Sequence, residues 1–279
     1  MKHRYRPPST TEIVDGALPA GAVVKAAYLG PCPPAGTGVH HYRFRLYALS
    51  CSGIPSNSTA LLRPVLTSSS CDTPPDVQPV SAAEIDIGDT SRRLIALTFD
   101  AGGPSAPTAR ILDILATHQA HSTFFITGEW ANQNPDLVRR IHSEGHEIGN
   151  HTMHHPDLQT LSDQGVCTEL SQAEDVISSL TGATTRPYYR PPYGGRDNRI
   201  RALAAQIGYR TVYWTIDTLD WQTTSTSDSI TKTVMAHIGN GVIILMHAGS
   251  QVESDTLDEL MTKIEQMKYQ IVTVTHVCG

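Results

Sequence analysis

From Arg92 onward the chain alternates short apolar runs with stretches of helical periodicity, about six or seven times over. Strands joined through helices cannot be hairpin partners, because each helix carries the chain back to begin the next strand in the same direction. The alternation confines this part of the chain to the α/β class, with a parallel sheet, open or closed. Residues 94–99, 123–126, 211–216, 241–246 and 270–274 read as strands. Leu94, Ile95, Ala96 and Leu97 follow one another without a break, as in a strand buried on both faces. Helical faces are expected from Ile111, Leu112 and Leu115, from Leu137, Val138 and Ile141, and from Val166, Leu170, Ala173 and Ile177. Asn134 before Pro135 reads as a helix start. Residues 200–207 form a further helix, and Asp255 caps a last one that buries Leu257, Leu260, Met261 and Ile264.

Residues 1–90 differ. Proline and glycine are dense over 18–38, and serine, threonine and proline dominate 50–79. Tyr42, Phe44 and Leu46 alternate with polar neighbours, the pattern of a half-buried strand. The chain therefore divides into an irregular, partly β extension and linker, 1–90, and a regular domain, 91–279. The stretch Gly30-Pro31-Cys32-Pro33-Pro34, with residues 41–49, resembles part of the phosphatidylethanolamine-binding protein family. It covers about 20 residues, too few for a core of its own, and reads as a remnant or gene-fusion fragment. Residues 50–89 then form a loose polar linker.

A net charge of −6 over 279 residues argues against nucleic acid as a partner, which needs a concentrated basic surface. No run of 18 apolar residues suits a membrane span. The basic start, Met1 to Pro8, has no apolar stretch behind it, so no signal peptide is read in this chain. Cys32, Cys51, Cys71, Cys167 and Cys278 form no C-x-x-C pair, which disfavours a cysteine-held zinc.

Groups suited to chemistry fall just after the expected strands, where parallel barrels build their sites. Asp100 stands before Gly102 and Gly103, and serves either a ligand or a helix cap. His151 and His155 are four apart; on a helical turn their imidazoles would share one face, half of a tetrahedral zinc site. Two prolines and two glycines after Arg190 make a rigid loop that can aim the Tyr193 N–H into a pocket, or only a tight turn. Asp220 adjoins Trp221, and His247 ends an apolar strand, as a core histidine or an acid.

These five stretches, in this order, resemble the polysaccharide deacetylase family (NodB homology domain, carbohydrate esterase family 4) from about residue 92 to 275. The resemblance implies a distorted (β/α) barrel that removes acetyl groups from N-acetylated sugars such as chitin, chito-oligosaccharides or peptidoglycan. It implies a monomer working outside the cell or facing its wall. Asp100 matches the catalytic base, Arg190 the arginine that holds it, His247 the catalytic acid and Asp220 the carboxylate that tunes it. Tyr193 matches the oxyanion donor, and Trp221 with Leu245 the walls of the acetyl pocket. His151 and His155 match the ligands of a divalent metal, in the first place zinc. One position departs: Ala101 stands where the family usually has a second aspartate as third ligand, and a methyl group cannot coordinate. Waters or another carboxylate such as Asp157 would have to replace it. The rival expectation is a non-catalytic saccharide-binding protein that kept the groove and lost the metal.

Overall fold

The computed structural model describes residues 76–279. The strand expected around Phe44 and the other readings on the first 75 residues lie outside them. In chain order the elements are β1 (Leu94–Ala101), α1 (Thr108–Thr117), β2 (Thr123–Ile126), α2 (Gly128–Gln133), α3 (Pro135–Ser143), β3 (Glu147–Asn150), α4 (Asp163–Thr181) and β4 (Tyr188–Tyr189). They continue with α5 (Asn198–Gln206), β5 (Arg210–Thr211), β6 (Ile216–Asp217), α6 (Ser227–His237), β7 (Ile243–His247), α7 (Gln251–Gln266), β8 (Gln270–Val272) and α8 (Val274–Cys278).

The sheet order is β5-β4-β3-β2-β1-β7-β6, and every strand pair is parallel. β8 joins the first residues of β1, Leu94 to Ala96, while β2 takes its last, Thr98 to Ala101. This curled parallel sheet with outer helices is the barrel class that the alternation and the resemblance imply. Ile95, Leu97, Phe99 and Ala101 of β1 belong to the cluster that α1 and α7 complete with Ile111, Leu112, Leu257 and Leu260. Ala96 joins the other cluster, with Phe125, Tyr188, Val212 and Ile243. Period-two geometry therefore sets Thr98 and Asp100 on the inner face.

Residues upstream of β1 bond beside β5 and just ahead of β7. Ile85 N–H donates to the Thr211 carbonyl at 2.9 Å, Tyr213 N–H to the Ile85 carbonyl at 2.7 Å, and Gly88 N–H to the Gly241 carbonyl at 2.7 Å. Ile85 is buried in the inner cluster. Residues 80–89 thus run along the barrel as a bonded strap. The reading of 50–89 as loose does not hold for them, because Ile85 is buried and the main chain on either side of it finds partners.

Three local expectations change. Residues 211–216 form two short strands, since the chain changes partner within the run: Val212 N–H goes to Tyr189, Tyr213 N–H to Ile85, and Thr215 N–H to Ile243. α7 starts at a Ser250 cap that accepts from Glu253 N–H, and Asp255 lies inside the helix, bonded to Arg110. The last helix is the short α8 instead. Asn134 precedes α3 as expected, but its amide donates back to the Trp130 carbonyl at 3.0 Å, closing α2.

Candidate active site

The C-terminal ends of five strands converge. Asp100 lies near the end of β1 and His247 ends β7; the two are register partners on neighbouring strands. His151 follows β3, Arg190 follows β4, and Asp220 lies three residues beyond β6. The fold brings Asp100, His151, Arg190, Asp220 and His247 to one end of the sheet; Asp157, offered as a replacement ligand, is not among them.

Arg190 is fully buried. Its Nη1 donates to Asp100 Oδ1 at 2.8 Å and to Thr98 Oγ1 at 2.9 Å, and its Nη2 to the Tyr213 carbonyl at 3.0 Å. The guanidinium lies 4.2 Å from the centre of the Phe125 ring. A planar, permanently charged fork with this many partners has one orientation. Burial pushes the Asp100 carboxyl up, but Arg190, and after it His151 and His247, outweigh that and hold it below its ordinary value.

Asp220 is buried and grips His247 twice. Its Oδ1 lies 2.7 Å from the ring Nδ1, and its Oδ2 accepts the His247 main-chain N–H at 2.9 Å. The ring's Nε2 is left for the site. Burial alone would lower the His247 pKa, but the Asp220 bond and charge, with Asp100 and Asp217 behind, raise it.

His151 and His155 do not sit on a helical turn. They lie in a loop after β3 with positive φ at Thr152 and at His155 itself, 69° and 59°. Their rings meet edge to face with centroids 4.8 Å apart. A Cβ on Gly102 would meet the His155 ring at an ordinary 3.6 Å; the close neighbour there is the Thr127 methyl, at 3.0 Å. Glu169 of α4 fixes the loop by accepting from Met153 N–H and His154 N–H at 3.0 and 2.9 Å. Asn150 caps it from below, its Oδ1 accepting Thr152 N–H at 2.8 Å. Burial, with the charge of His151 adding to it, pushes the His155 pKa down to about 4.

Tyr193 sits in a 3-10 turn, Pro192–Gly194, with φ 56° and ψ 10°. A left-handed tyrosine is an uncommon, costly backbone state, of the kind kept where a main-chain group must face one way. Its ring is 75% exposed and stands against His155, centroids 4.6 Å apart. Trp221 is 59% exposed beside the buried Asp220. Leu245 is buried, its carbonyl accepting from Thr218.

A divalent metal must be tested against these residues. His151 Nδ1 donates to the Arg190 carbonyl at 2.8 Å, and burial lowers the ring's pKa. Its Nε2 therefore carries a lone pair, 3.5 Å from Asp100 Oδ2. Two acceptors facing each other suit a cation between them. The set is nonetheless short. Ala101 packs into the apolar cluster under the helices, and the Asp157 carboxylate caps its own turn, accepting Gln159 N–H at 3.0 Å. Among the described residues no three His, Cys, Asp or Glu side chains converge as a metal site. These side chains do not make up the three-ligand set of a tightly held catalytic zinc.

The sequence model for polysaccharide deacetylase matches residues 87–212. Peptidoglycan-N-acetylmuramic acid deacetylase PdaA of Bacillus subtilis is 32% identical over 194 residues, 67% of this chain and 72% of the relative. The chain belongs to the polysaccharide deacetylase family. Peptidoglycan-N-acetylglucosamine deacetylase PgdA of Listeria monocytogenes is 36% identical over 202 residues, 72% of this chain but 42% of the relative. Among solved structures, Bacillus subtilis PdaA, a family 4 carbohydrate esterase, superposes with a TM-score of 0.67 at 30% identity, covering 70% of this chain and 85% of that one. A family 4 pseudoenzyme from Bacillus anthracis gives 0.68 at 29% identity, covering 71% and 69%. The phosphatidylethanolamine-binding protein model matches residues 7–85, a longer stretch than the resemblance over about 20–50 suggested.

Within this polysaccharide deacetylase domain some supporting residues were not singled out from the sequence. Thr98 was legible in principle, because it shares the inner face with Asp100 two positions on. Glu169, Phe125 and the Tyr213 carbonyl had no such signal, since their partners are remote in sequence.

Proposed function

We propose that this polysaccharide deacetylase removes the acetyl group from an N-acetylated amino sugar in a polymer or oligomer of peptidoglycan or chitin type. The observation that carries the reading is the facing pair: a carboxylate held ionised by Arg190 and an imidazole held protonated by Asp220, on register partners of adjacent strands.

Amide hydrolysis needs a base for the attacking water and an acid for the departing nitrogen. In this reading Asp100 accepts a proton from water as its oxygen attacks the acetyl carbonyl carbon. The carbonyl electron pair moves onto oxygen, and the Tyr193 main-chain N–H stabilises the oxyanion. As the carbon–nitrogen bond breaks, His247 gives its Nε2 proton to the leaving nitrogen. Acetic acid and a free amine result; the acid ionises to acetate, Asp100 gives up its proton, and one of these two protons restores His247 while the other goes to solvent. Leu245 and Trp221 border the acetyl methyl. The opposed pKa shifts of the two groups, Asp100 down and His247 up, suit the two roles near neutral pH.

A second reading has a specific motive. Ala101 leaves the metal set short, and a relative of equal structural likeness is a pseudoenzyme. The chain would then bind saccharide without cleaving it. Acetate release from N-acetylglucosamine oligomers and from peptidoglycan fragments separates the two, with zinc and with chelator. Wild-type release, lost by at least a hundredfold in Asp100→Asn, is expected. Saccharide binding with no release under any metal condition would establish the binder instead.

A further inference from the structure

One ion pair outside the proposed mechanism lies against the Tyr193 turn. Glu84, on the strap, accepts two bonds from the Arg196 guanidinium, Nη2 to Oε1 at 2.9 Å and Nε to Oε2. Arg196 Nη1 also donates to the Gly194 carbonyl at 3.2 Å. The guanidinium lies flat on Tyr213, its central carbon 3.3 Å from the ring centre. Tyr213 in turn packs under Gly194: a Cβ there would meet the Tyr213 ring at 2.9 Å and Trp214 at 3.0 Å, and φ is +67°, so only glycine fits. Glu84, through Arg196, thus holds the turn that carries the left-handed Tyr193.

The next strap residue reaches the other half of the site. Ile85 accepts Tyr213 N–H, and the Tyr213 carbonyl accepts from Arg190, which holds Asp100. Both contacts come from residues upstream of the stretch that the polysaccharide deacetylase model matches, which begins at residue 87.

We infer that Glu84 is a positioning residue: its ion pair with Arg196 locks the Pro192–Gly194 turn and so presents the Tyr193 main-chain N–H to the site. The ion pair is partly buried, with 15% of the Glu84 and 26% of the Arg196 side chain exposed, where a two-pronged carboxylate–guanidinium contact is directional as well as attractive. A turn strained at Tyr193 relaxes when its clamp is removed. The strap is therefore part of the active-site scaffold, and anything that pulls residues 84–85 away disorders the oxyanion donor. The catalytic half of this inference rests on the deacetylase reading; the clamp itself does not.

The test uses the full chain with Glu84→Gln, Arg196→Gln and the two together, because Arg201, 3.8 Å from Glu84, would repel an arginine placed there. Hydrogen exchange read by mass spectrometry over residues 192–196 should quicken roughly tenfold in Glu84→Gln, with peptides from α1 and α4 unchanged, and no further in the double variant than in either single one. On an N-acetylated oligosaccharide, kcat should fall by roughly tenfold with KM changed less than about twofold, since an oxyanion donor acts in the transition state. Unchanged exchange at 192–196, or a uniform rise across the domain, overturns the clamp. Faster exchange with unaltered kcat overturns the positioning role. A wild-type protein without acetate release would sink the deacetylase reading, and the exchange result would still decide the clamp.

Discussion

His151 donates through Nδ1 to the main-chain carbonyl of Arg190, the same residue whose guanidinium holds Asp100. One arginine therefore orients the ring with its backbone and the carboxylate with its side chain. Substituting the side chain separates the two. Arg190→Gln keeps the carbonyl and removes the charge that keeps Asp100 ionised against burial. The Asp100 pKa then rises, so the acid limb of kcat/KM should move to higher pH. Rate profiles on wild type and variant test this; an unmoved acid limb would mean that Asp100 is not the group titrating there.

The alkaline limb tests the other half. Burial would lower the His247 pKa, but Asp220, with Asp100 and Asp217 behind, raises it. Asp220→Asn keeps a bond to the ring and removes the charge. The His247 pKa falls, the protonated acid is lost earlier as pH rises, and the alkaline limb should shift down. A profile identical to wild type would assign that limb to another group.

Ala101 faces the apolar cluster beside Ile126, its register partner on β2. Ala101→Asp would place a carboxylate against that cluster. Without metal this should destabilise the domain by about 1–3 kcal/mol, the cost of an unpaired polar group. With zinc, the carboxylate must turn out of the cluster toward His151 and His155, and the bond it then makes to the ion offsets the loss and tightens binding. The expected pattern is a melting temperature below wild type in chelator and a larger rise on adding zinc, with tighter zinc binding by titration calorimetry. Equal zinc affinity in both proteins would show that a third ligand is already supplied by other means.

The strap moves the useful domain boundary upstream. We propose that a chain starting at residue 76 keeps the stability of the domain, while one starting at 92 loses the Ile85 burial and its main-chain bonds. The difference should be roughly 3 kcal/mol in urea unfolding, from one buried isoleucine and a few hydrogen bonds. Equal midpoints would restore the boundary at 91 that composition alone suggests.

Much of this architecture was legible because strand periodicity and chemistry coincide in sequence. Asp100 follows an apolar run, His247 ends one, and the prolines and glycines around Tyr193 announce a fixed turn. The two-residue strands β4, β5 and β6 were not legible as such. Their pairing is decided by partners far away, so Val212, Tyr213 and Thr215 look like one strand yet bond to three different neighbours. Ile85 was hidden for a related reason. Ile85 and Ile87 alternate with Glu84 and Asp86, but the run is too short to be told from loop, and the burial of Ile85 depends on remote partners, Thr211 and Tyr213. The histidine loop shows the converse: spacing brought the two rings together correctly, but left-handed residues rather than a helical turn do it.

Because Asp100 and His247 are register partners, the spacing of these two groups is inherited from the hydrogen-bond ladder, where strands lie about 4.8 Å apart. No loop motion can widen or narrow it without breaking the sheet. Tyr193, Trp221 and Leu219, by contrast, all lie on exposed turns around that pair. Substitutions in those turns can therefore reshape the surroundings of the pair while its spacing stays fixed by the sheet.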